Sequence, residues 1–116
     1  MKVFWNKCQG DAWCKLNSVN LEHAHFDHME GVYIIWHGGN DAWTVRVGQG
    51  FIRDRLRDHR SNQEIQHYSN LILYVTWASV PFEQRNGVEK YLSDVLKPKI
   101  GERFPDITPI NINLPW

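Results

Sequence analysis

Two short runs near the middle of the chain, residues 32–36 and 43–48, are dense in β-branched and aromatic side chains and are separated by HGGNDA. That is strand–turn–strand chemistry, so the pair reads as a β-hairpin. A turn centred on Gly39 and Asn40, both tolerant of positive φ, sets Trp36 against Trp43, Ile34 against Val45 and Val32 against Val47. In this register those six apolar side chains share one face. Tyr33 beside Arg46 and Ile35 beside Thr44 form the other, more polar face.

Gly48-Gln49-Gly50 ends the second strand. From Phe51 to about Arg60 the spacing turns helical, with Ile52 and Leu56 at i, i+4 for the interior. Arg55 and His59 form a second i, i+4 stripe and project side by side. A short helical or irregular piece over residues 64–69 follows. Residues 71–80, LILYVTWASV, are apolar on both alternations, as in an interior strand covered on both faces. Val88, Tyr91, Leu92, Val95 and Leu96 predict an amphipathic helix over residues 88–96, stopped by Pro98. Glu89 then falls in its first turn, where the helix dipole favours a carboxylate. Residues 110–114 alternate Ile, Asn, Ile, Asn, Leu and read as a short edge strand.

The order β-β-α-(α)-β-α predicts a small α/β (α+β) fold, a three-stranded and mainly antiparallel sheet flanked by helices. Residues 1–30 have no sustained period and read as an N-terminal extension. A core over 31–105 and a tail over 106–116 complete a single domain over 1–116. That length lies within the ~50–200 residues usual for one domain.

Net charge is zero, so no global field draws the chain toward nucleic acid or membranes, and polyanion binding needs a local patch. Arg46, Arg53, Arg55, Arg57 and Arg60 supply one, diluted by Asp54 and Asp58. Six tryptophans favour large rigid core fillers and leave aromatic surface for a partner. No apolar run approaches the ~20 residues that span a bilayer, and MKVFWNK leads into polar sequence. The expected setting is the cytoplasm, without a membrane partner. Cys8 and Cys14 suit reduced thiols there better than a disulfide scaffold. With His23, His25 and His28 they form a rival zinc-type set, but their spacing fits no standard finger. Buried cysteines and surface histidines are the better account.

GVY at 31–33, RVG at 46–48, a helix bearing Arg55 and His59, and Glu89 in a helix ending LKP together resemble the GIY-YIG nuclease domain over about residues 31–101. The resemblance implies cleavage of a nucleic-acid phosphodiester, DNA ahead of RNA, with one divalent ion, Mg²⁺ or Mn²⁺. By position it implies Tyr33 near the attacking water as general base, Arg55 on the scissile phosphate, His59 supporting the site and Glu89 holding the metal. Arg46, Arg53, Arg57 and Arg60 would bind the nucleic-acid backbone.

Simple chemistry agrees with those roles. A guanidinium grips phosphate with two hydrogen bonds, and Mg²⁺ needs few protein ligands when phosphate and water complete its shell. A phenol serves as a base only if cations depress its pKa of about 10, and Arg46 across from Tyr33 would do that. Arg46 stands where the family has its second tyrosine, and Gly101 where it has an asparagine. A second expectation therefore keeps the fold without the cleavage: a catalytically inactive nucleic-acid or protein interaction module. Recognition would be intrinsic or supplied by a protein partner.

Overall fold

The computed structural model describes residues 1–101 and 106–116. Strand β1 is only Cys14–Lys15, β2 spans Glu30–His37, β3 Trp43–Phe51 and β4 Leu73–Ser79. Helix α1 is Ile52–Arg60, α2 is a single turn at Gln63–Gln66, and α3 is Phe82–Leu96. The sheet has the order β1-β4-β2-β3, and every pairing is antiparallel. The expected three strands are thus its body, β4-β2-β3, and the N-terminal segment widens it to four by adding β1.

The hairpin register differs from the expected one. Ile34 faces Val47, Val32 faces Gln49 and Tyr33 faces Gly48, while beyond an irregularity between Ile35 and Trp36 the partners are Trp36–Thr44 and His37–Trp43. A loop longer than two residues and a β-bulge at Val45 account for the offset. A bulge places two residues opposite one, and here it turns Val45 toward Tyr33 and Ile35 while Val47 stays with Val32 and Ile34. Trp43 does not seal a core face; it is 49% exposed.

Nor is the second face of the hairpin polar. β2 is the central strand, and Val32, Tyr33, Ile34 and Ile35 are all buried because both faces are covered. On one side Tyr33, Ile35 and Val45 pack with Ile52 and Leu56 of α1, with Ile65 of α2, and with Cys14, Leu16, Leu21 and Phe26. On the other, Val32, Ile34 and Val47 pack with Val88 and Leu92 of α3, with Trp5 and with Ile112. Residues 1–30 are therefore part of both cores rather than an appendage.

Three further expectations change. Helix α3 starts at Phe82, so Glu89 lies in mid-helix and Glu83 occupies the first turn. The tail keeps the burial its alternation suggested, with Ile112 buried, but it is not a strand. It is tied instead by side-chain amides: Val3 N donates to Asn113 Oδ1, Asn113 Nδ2 donates to Val3 O, and Trp5 Nε1 donates to Asn113 O. Cys8 and Cys14 are not reduced thiols but a disulfide. Beside β3, Lys99 N and Ile100 N donate to Thr44 O and Val45 O at 3.0 and 2.9 Å. No helix among the described residues is long and apolar enough to cross a membrane.

Candidate active site

β3 runs directly into α1 at Phe51–Ile52, just after Gly50, so the strand's last residues and the helix's second turn share one edge of the sheet. Gly48 faces Tyr33 there, and a Cβ on it would lie 2.2 Å from the phenol oxygen. The glycine of the RVG run thus makes the space that the Tyr33 ring occupies. Gly50, at φ 130°, serves Arg55 in the same way, since a Cβ would come within 2.8 Å of Arg55 Nε. Arg55 folds back over the strand and donates from Nε to Gln49 O at 3.2 Å.

One turn further along α1, His59 is buried with Nε2 2.5 Å from the Tyr33 hydroxyl. Arg46 projects from β3 on the same side, and Glu89 arrives from α3. Arg46 and Arg55 both act electrostatically on Tyr33 and on Glu89, and both disfavour charge on His59. Tyr33, Arg46, Arg55, His59 and Glu89 therefore form one cluster drawn from four elements, β2, β3, α1 and α3.

Burial sets its protonation. The Tyr33 phenol is pushed up to about 12 by desolvation, which outweighs the opposing pull of Arg46 and Arg55. The expected depression by Arg46 is overturned, because only 2% of the tyrosine is exposed. Desolvation first, then Arg46, lowers His59 to about 4, so the imidazole is neutral near pH 7. Burial also raises the Glu89 carboxyl, against the downward pull of the Gln49 amide, Arg46 and Arg55. Glu89 is 9% exposed and makes no ion pair among the described residues. Arg46 Nε is buried with no hydrogen-bond partner, the only such side-chain atom among the described residues.

The remaining arginines of the run are elsewhere. Arg53 donates to Leu21 O, His23 O and Asp27, Arg57 pairs with Glu22, and Arg60 donates to Leu16 O and Val19 O. They clasp the N-terminal segment and are not brought to the cluster. Gln49, which sequence reading treats only as part of a strand break, joins it. Its Nε2 donates to Asn86 Oδ1 at 2.7 Å, and its amide acts on Glu89. Its place between two glycines is the sole signal in the sequence.

The zinc-type set does not assemble. Its two sulfurs are bonded to each other, and no group of three or more His, Cys, Asp or Glu among the described residues is arranged to hold a metal. The cluster offers a cation one carboxylate, Glu89. That suits a hard ion that keeps waters and takes phosphate oxygens, and does not suit zinc.

Comparison of the chain with protein-family models, with curated proteins and with solved structures gave no match.

Proposed function

We propose that the chain is a GIY-YIG-like phosphodiesterase that cleaves nucleic acid, DNA ahead of RNA, with one Mg²⁺ or Mn²⁺. The observation that carries this reading is the convergence of Tyr33, Arg46, Arg55, His59 and Glu89 on one edge of the sheet, with Arg46 Nε buried and unpartnered. A site holding two guanidiniums and a carboxylate free of ion pairs has the components that phosphoryl chemistry needs.

In this reading Arg46 and Arg55 hold the non-bridging phosphate oxygens. Glu89 is the residue that would hold the divalent ion, which supplies charge stabilisation at the phosphate and leaving oxygens. With His59 in the tautomer protonated at Nδ1, the Tyr33 O–H donates to Nε2. The neutral Tyr33 hydroxyl, its own proton directed to His59, would accept a hydrogen bond from the attacking water and orient it.

The test is cleavage of duplex, single-stranded and branched DNA and of RNA in Mg²⁺ or Mn²⁺. Glu89→Gln is expected to lower the rate at least about 100-fold, the scale of losing one electrostatic group. If no substrate is cut faster than by that variant, the second reading replaces the first: an interaction module that binds phosphate without cutting. The observation favouring it is the Tyr33 phenol, sealed at 2% exposure and held protonated.

A further inference from the structure

We propose that Arg46 and Arg55 form a phosphate-anion site that fills without metal, and that its filling is what admits a divalent cation at Glu89. The proposal rests on the reading of these residues given above and adds an order of binding to it.

Most arginines around the site have committed partners. Arg53, Arg57 and Arg85 each reach a carboxylate, and Arg60 reaches two carbonyls. Arg46 differs: its half-buried guanidinium lies against the Tyr33 hydroxyl, reaches no carboxylate, and leaves Nε with neither solvent nor a hydrogen-bond partner among the described residues. Arg55 gives one bond to Gln49 O and enters no ion pair among the described residues. A buried donor without an acceptor is disfavoured, and an anion's oxygens are the acceptors that would complete it. Phosphate oxygens match the fork of a guanidinium.

Charge fixes the sequence of events. Among the described residues the cluster sets two guanidiniums, Arg46 and Arg55, against one carboxylate, Glu89, a formal excess of one positive charge. That balances the single negative charge of a phosphodiester. A divalent cation arriving first would add to the positive side, with Glu89 as its one acidic ligand among the described residues. With the anion in place the cation meets an acid and a phosphate together. Linkage then requires that the cation tighten the anion by the same factor.

The experiment uses the full chain stripped of metal. A short DNA oligonucleotide and inorganic phosphate are titrated separately by calorimetry, and Mn²⁺ is titrated with and without each, followed by paramagnetic broadening of amide signals around Glu89. We expect anion binding without metal, weakened about tenfold by Arg46→Gln and by Arg55→Gln. We also expect Mn²⁺ affinity to rise about tenfold when anion is present. Arg55 is exposed, so its variant tests the proposal even if Arg46→Gln does not fold. Response to inorganic phosphate alone supports the site and assigns it to a free phosphate. Mn²⁺ binding equally well without anion, or anion binding unchanged in the variants, overturns it. Cleavage without this coupling leaves the nuclease reading standing and removes the inference; coupling without cleavage does the reverse.

Discussion

The Tyr33 hydroxyl and His59 Nε2 are 2.5 Å apart in a site that keeps both groups neutral near pH 7. Both residues were legible as candidates, through the GVY run and the helical stripe with Arg55. Their protonation was not, because it depends on how the second face of the sheet is covered. A linkage prediction follows for His59. Its folded pKa of about 4 lies below the ordinary 6.5, so between those values the unfolded chain takes up a proton that the folded one refuses. Stability is therefore expected to fall as pH drops from about 6.5 toward about 4. Glu89, whose pKa is raised, acts in the opposite sense just above the ordinary carboxylate range. Urea unfolding of the wild type and of His59→Gln at stepped pH separates the two, and the variant should lose most of the acid sensitivity. Gly48→Ala tests the packing that holds the pair. Its Cβ would lie 2.2 Å from the phenol oxygen, so the Tyr33 ring must move. The expected cost is about 1–3 kcal/mol in denaturant unfolding, with the Tyr33–His59 hydrogen bond broken.

Among elements, α1 matched its spacing closely, because Ile52 and Leu56 both face one core. Helix α3 did not: residues 83–87, EQRNG, hold no apolar side chain, so the apolar spacing begins only at Val88, after Gly87. The glycine is there because the tail crosses at that point. A Cβ on Gly87 would meet Ile110 at 2.6 Å and Thr108 O at 3.1 Å, and Ile110 N donates to Gly87 O. Gly87→Ala should strengthen the isolated helix by up to about 1 kcal/mol yet loosen the tail from it. Hydrogen exchange at Ile110 and Ile112 should accelerate in the variant; unchanged protection would refute this account. The earlier start also matters for Glu89. A carboxylate in the first turn is explained by the dipole, whereas one buried in mid-helix beside two arginines is not. The hairpin shows a different limit. Turn residues located it, but loop length and a bulge set its register, and neither leaves a periodic signal.

At the scale of the molecule, the largest departure is the N-terminal segment. Its lack of period suggested an extension, but Trp5, Cys14, Leu16, Leu21 and Phe26 enter the two cores. Irregular backbone buries side chains without any repeat, so sequence periodicity passes over it. The same contacts explain why the arginine run looked more like a nucleic-acid patch than it is. The partners of Arg53, Arg57 and Arg60 lie 26 to 44 residues earlier in the chain, beyond the reach of local reading. The Cys8–Cys14 disulfide closes a short loop in this segment. Its loss is expected to lower stability by about 2 kcal/mol, read as a matched shift in unfolding midpoint for Cys8→Ser and for wild type in reductant. No shift in either would mean that the crosslink is idle.

The backbone bonds from Lys99 and Ile100 to Thr44 and Val45 have a consequence for solubility. An open strand edge is a template on which a second chain can add its own strand. Here one outer strand, β1, is only two residues long, and the other, β3, is capped along its first half by residues 99–100. Among the described residues, nothing caps the part of β3 toward Gly48 and Gly50, beside the two guanidiniums. Positive charge there repels another copy of the same surface and attracts a polyanion, so the stretch left open to ligand is guarded against self-association.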